Sequence, residues 1–175
     1  IGGNIVIKEG VLAVDTFEKD LGDNPKVTLA GGDLRVLQSS SALKNGLVLQ
    51  DKGGAIDTIA PNTIISGVIS GDGNIQKKGS GTLILTTDNS YKGNTILSEG
   101  KLQITSSGAL GTSGSLVLDG GVLQSAADLD LGTRKVNITG NNGTLDSANK
   151  ITVGGSISGD GQLIKSGSGT LTLTG

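Results

Sequence analysis

Residues 65–87 and 153–175 superimpose with 14 identities in 23 positions. This internal duplication limits the fold more than any other feature of the chain. Gly71-Asp72-Gly73 returns as Gly159-Asp160-Gly161. Gly79-Ser80-Gly81-Thr82-Leu83 returns as Gly167-Ser168-Gly169-Thr170-Leu171. Blocks this alike and this far apart mark a repeat architecture, in which each unit buries its apolar face against its neighbours.

The duplication extends upstream. Asn94–Leu102 matches Asn4–Leu12 at an offset of 90, and Leu116–Gly121 matches Val27–Gly32 at 89. Asp57 and Asp146 share the second offset. The chain therefore reads as one domain made of two copies, about 1–90 and 91–175. Ile1 aligns with Tyr91, the chain opens without Met, and its last residue is Gly175. Both ends are expected to fall inside a repeat of a longer protein.

Glycine leaves little room for helices. Of 175 residues 31 are Gly, against a usual share of about 7%. The longest glycine-free run is Asp33–Asn45, 13 residues, with no clean helical stripe. Elsewhere apolar residues alternate with period two: Val27/Leu29, Leu34/Val36, Leu47/Leu49, Leu83/Leu85, Leu102/Ile104, Leu116/Leu118, Val136/Ile138 and Leu171/Leu173. Short half-buried strands between Gly, Asn, Asp and Ser turns follow. Ile84 becomes Thr172 in the second copy, so that position is read as outward and Leu83 and Leu85 as inward.

A solenoid coil takes roughly 20 to 25 residues, so a copy holds about four coils and the chain about eight. The core available to such a tube is small and aliphatic. An immunoglobulin-like sandwich would need a large buried aromatic, and the aromatics are Phe17 and Tyr91 alone. The reading is all-β, a right-handed parallel β-helix.

Composition removes several functions. The net charge of −2 gives a nucleic acid or anionic membrane no electrostatic hold. Without Cys or His, thiolate zinc sites and Ser–His or Cys–His nucleophiles are excluded. No catalytic, cofactor-binding or metal-binding residues are assigned.

Lys77–Thr86, then Asn89–Thr95, then Gly100–Ile104 resemble the autotransporter-associated β-strand repeat. That repeat belongs to passenger domains of type V secreted proteins of Gram-negative bacteria. The residues that carry the resemblance are Gly79, Gly81, Thr82, Leu83, Leu85, Tyr91, Gly93, Thr95, Gly100 and Leu102, with Gly167, Gly169, Thr170, Leu171 and Leu173 in the second copy. Thr87 stands where the family usually has Gly, which Gly175 restores. The resemblance implies a β-helix exported through periplasm and outer membrane by a C-terminal β-barrel translocator. It implies a secreted or surface location and a non-enzymatic virulence role, as an adhesin or a ligand of a host cell-surface receptor or extracellular matrix. The alternative is a purely structural spacer that presents a distal domain.

Four further features have plain readings. Ser70-Gly71-Asp72-Gly73 reads as a turn between coils, since a calcium β-helix needs Asp at nonapeptide spacing. Lys77-Lys78 reads as a solvated corner. Asp128 and Asp130 alternate with Leu129 and Leu131, which makes two outward acids and an inward apolar pair. Asp15–Asn24 departs from its counterpart Thr105–Gly114 by gaining four acids, a Lys and the lone Phe. Phe17, Glu18 and Asp20 of that corner are therefore the candidate partner-binding residues; the plain reading is a surface loop whose Phe covers the core.

Overall fold

A computed structural model describes residues 3–22, 26–38 and 42–175. Ile1, and Asp23 and Asn24 of the variant corner, lie outside the described residues. Among the described residues the alternating segments form 21 short strands, all paired in parallel. They stack as a β-solenoid of about eight turns with three faces.

One face carries a strand from every turn. It runs from Val11–Val14 through Asp33–Val36, Gly54–Thr58, Ile75–Lys78, Thr95–Leu97, Leu116–Leu118 and Val136–Ile138 to Ile157–Gly159. Among the described residues the second face has six strands: Asn62–Ile65, Thr82–Leu85, Lys101–Ile104, Val122–Ser125, Gly143–Ser147 and Leu163–Ser166. The third is split. Asn4–Ile7, Lys26–Leu29, Leu47–Leu49 and Ile69–Gly71 form one sheet; Leu129–Asp130, Ile151–Val153 and Leu171–Leu173 form another.

Burial follows alternation. Leu34, Val36, Leu83, Leu85, Leu102, Ile104, Leu116 and Leu118 are all buried, while Ile84 is partly exposed. Parallel pairing puts inward residues in columns, such as Leu83 on Leu102 on Leu123 on Leu145. Each column is a continuous aliphatic ridge, so adding a coil buries apolar surface on both members of the contact.

Partners in a column lie 19 to 22 residues apart. The Leu83 column therefore reaches Lys165 after four turns, whereas the sequence duplicate of Leu83 is Leu171, on the next face. Every strand of the first copy behaves this way. Asn4–Ile7 lies on the third face and its duplicate Thr95–Leu97 on the first; Ile75–Lys78 lies on the first and Leu163–Ser166 on the second. The duplicated unit is four turns and one face, and like segments are rotated about the axis rather than stacked.

The Ser70–Gly73 turn begins later than expected. Ser70 and Gly71 still belong to a strand, and the chain turns at Asp72–Asn74.

Two helical turns were not legible in the sequence: α1 (Phe17–Leu21) and a 3-10 turn at Ser107–Leu110. The Thr16 side chain accepts from Lys19 N–H at the start of the first, and the Ser106 side chain accepts from Gly108 N–H at the start of the second. Gly22 and Gly111, both at positive φ, end them. The variant corner thus changes residues but keeps the local structure of its counterpart. Its inward members are Phe17 and Leu21 in one copy, Ala109 and Leu110 in the other.

Candidate functional site

The repeat motif builds one corner and one turn. At the corner the chain leaves the first face at Lys78 and enters the second at Thr82. Gly79 takes φ 73°, a conformation that favours glycine. A Cβ on Gly81 would lie 1.9 Å from the Ala60 carbonyl oxygen. Gly167 and Gly169 repeat both conditions, at φ 75° and 1.9 Å from Asn149 O. These four glycines are there so that corners of successive coils can touch.

Lys77 corrects the expectation of a solvated corner. It follows Ile75 on the inward side of its strand and is 2% exposed. Its Nζ donates to Lys78 O at 2.7 Å, Gly79 O at 2.6 Å and Glu99 O at 3.1 Å. At these three carbonyls the ammonium supplies the donors. Burial pushes this amine down to about 8, against the pull of Asp57 and Glu99. Its neighbour Lys78 does face outward and pairs with Asp33 at 2.9 Å.

The turn carries Asn89, Tyr91 and Gly93 where the third face is interrupted, and it leads into Thr95 at the start of the next first-face strand. The Asn89 side chain accepts from Ile69 N–H at 2.8 Å and donates to Ala109 O at 2.6 Å, so one buried amide replaces strand bonds to the coils on both sides. Tyr91 is fully buried. Its hydroxyl meets Thr95 Oγ1 at 2.5 Å, and burial pushes it up to about 12. The Arg134 guanidinium donates to Gly111 O and Gly114 O beside this break. Thus Tyr91, Thr95, Leu83, Leu85 and Leu102 are core; Thr82 and Gly93 are partly exposed; Leu171 and Leu173 sit on the outermost strand with Thr170 just before it, all more exposed than their counterparts. Sequence reasoning missed the roles of Lys77, Asn89 and Arg134. The available signal was Lys77 returning as Lys165 in a block of identities.

The variant corner is brought together only in part. The Phe17 ring lies in the core, 2% exposed. Asp20 Oδ2 accepts from Asp15 N–H at 2.5 Å and Thr16 N–H at 3.2 Å, which ties down the start of α1. Glu18 is exposed, beside Lys19, whose ammonium pairs with Asp15 at 3.0 Å. The Asp15 carboxylate raises the Lys19 pKa.

Outward acids elsewhere are also tied to turns. Asp130 accepts from Gly132 N–H at 2.8 Å and Asp128 from Lys150 N–H at 2.9 Å. Among the described residues no cluster of three or more His, Cys, Asp or Glu could hold a metal ion, and no helix is long and apolar enough to cross a membrane. The surface has open grooves. One of about 620 Å³ runs over Arg35, Gln76, Lys78 and Ser98; another of about 750 Å³ runs over Thr112, Asp130, Arg134 and Lys135.

Comparison with known proteins agrees with this geometry. The model of the passenger-associated-transport-repeat matches residues 75–104 and 163–175, which are the corner and turn described above and the second-copy corner. Over 125 residues, 70% of this chain, the sequence is 41% identical to the adhesin BmaC autotransporter of Brucella suis biovar 1 (strain 1330). The chain spans about 4% of the length of that relative. No solved structure matches it.

Proposed function

This chain is a stretch of autotransporter passenger carrying the passenger-associated-transport-repeat, and from that premise we propose that it serves adhesion, as a non-enzymatic segment that contacts a host cell-surface receptor or extracellular matrix. A passenger of this kind is displayed at the cell surface. The observation that carries the adhesive reading is the 41% identity to a relative named as an adhesin, across most of this solenoid. The motif residues are spent on corners and core, so contact falls to outward side chains. The variant corner is our candidate: Glu18 faces solvent there, and Phe17 and Asp20 hold the shape that presents it. The full-length protein is proposed to carry a C-terminal β-barrel translocator. The non-enzymatic reading is supported by outward acids that serve turn amides.

A second reading, a spacer for a distal domain, has one observation in its favour. The chemically distinctive corner turns its lone aromatic inward. Adding the purified 175-residue chain to cultured host cells and to matrix-coated wells separates the two. Saturable binding that falls on Glu18→Lys supports adhesion through this corner. Absence of any binding contradicts adhesion by this segment and leaves the spacer.

A further inference from the structure

The aliphatic columns hold the coils together but say little about which residue sits on which. Sliding Lys101–Ile104 by two residues along Thr82–Leu85 keeps Leu102 and Ile104 inward and opposes leucine with leucine or isoleucine. Glycine-rich strands with self-similar faces are prone to such slips. A buried polar group that needs one partner at one place would reject them.

We infer that Lys77 is the register key between its own coil and the next. Two of its three acceptors, Lys78 O and Gly79 O, come from its own corner. The third, Glu99 O, comes from the corner of the following coil. Gly100 completes the enclosure: a Cβ there would lie 2.9 Å from Lys77 Nζ. A two-residue slip carries Glu99 O away by about 6.6 Å, two strand rises. The ammonium would then be buried with one donor unmet, and such groups are costly.

Lys165 shows the half-built state. It donates to Ser166 O and Gly167 O and is partly exposed, in the last coil that these 175 residues hold. The same side chain, in the same local sequence, reaches its own corner alone and is sealed only by a stacked neighbour. Replacing a fully met buried charge by an apolar group of equal length is often neutral or stabilising, so Lys77 contributes choice of partner rather than strength. Glycine clashes penalise the same slip. A Cβ at position 100 would lie 2.4 Å from Gly79 O, so the test must separate the two devices.

The chain has no Cys, so introduced pairs report pairing without background. Ile84→Cys with Gln103→Cys reports the native register, in which these residues are partners. Thr82→Cys with Gln103→Cys, and Ile84→Cys with Lys101→Cys, report the two slips. Each pair is refolded from urea under oxidising conditions, with Lys77 and with Lys77→Met. With Lys77 the native cross-link should exceed either slipped one by at least about tenfold, the ratio expected from one unmet buried donor. In Lys77→Met that ratio should fall at least about fivefold, while the urea midpoint stays equal or rises. Lys165→Met should leave the ratio unchanged. Retention of full native preference by Lys77→Met would assign register to the glycines and overturn the inference. Failure of Lys77→Met to fold would overturn it too, because the ammonium would then be needed for strength.

Discussion

The corner at residues 77–85 and its duplicate at 165–173 have almost the same sequence and different surroundings. Lys77, Leu83 and Leu85 are buried; Lys165 is partly exposed, Leu171 is half-buried and Leu173 is 54% exposed. Within these 175 residues the first corner has coils on both sides, and the second, in the last coil, has one on one side. The duplicate is also turned to another face, because its offset is four coils and one face. What a repeat residue does here is decided by what stacks on it.

Inward charge should break this comparison most strongly. Leu83→Asp puts a carboxylate between Thr63 and Leu102, and Lys77 nearby has already spent its donors on three carbonyls. Urea denaturation should show a loss of about 4 kcal/mol, against about 1 kcal/mol for Leu171→Asp on the outermost strand. Equal losses would mean that stacking does not set the cost.

Asn89→Ala comes next. It leaves Ile69 N–H and Ala109 O unmet in the core, which should cost about 2–3 kcal/mol. A loss near zero would show that neighbouring backbone closes the gap unaided.

Lys77 sharpens the comparison through pH. Its amine titrates at about 8 when folded and near 10.5 when unfolded. Between those values the unfolded chain holds more protons, so stability should rise with pH over that window. Tyr91, raised from 10.0 to about 12, acts in the opposite sense above pH 10. The urea midpoint should therefore climb from pH 8 to about pH 10, and the climb should vanish in Lys77→Met. A flat parent profile would mean that the amine is solvated.

The smallest effect is expected on the outward side. Ile84 lies between Ile64 and Gln103 on the surface of its sheet, and Ile84→Asp should cost about 0.5–1 kcal/mol. A cost above that of Leu83→Asp would invert the faces.

The strands, their inward residues and the coil number were legible because alternation and duplication are local signals that the chain carries twice. Leu34/Val36 and Leu116/Leu118 needed nothing beyond period two. Lys77 was not legible, since a lysine reads as solvent-facing until the carbonyls that receive it are in place, and one comes from 22 residues away. Phe17–Leu21 was missed because five residues are too few to show a helical period; Thr16 before it and Gly22 after it were the only marks. The rotation of the second copy followed from coil lengths of 19 to 22 residues, which no single motif displays.

Native-state hydrogen exchange on the 175-residue chain tests most directly whether stacking, rather than motif sequence, sets the state of a repeat. Amides of Thr82–Leu85 should exchange orders of magnitude more slowly than those of Leu171–Leu173, with protection falling toward the outermost coil. Equal protection at the two corners would contradict this account.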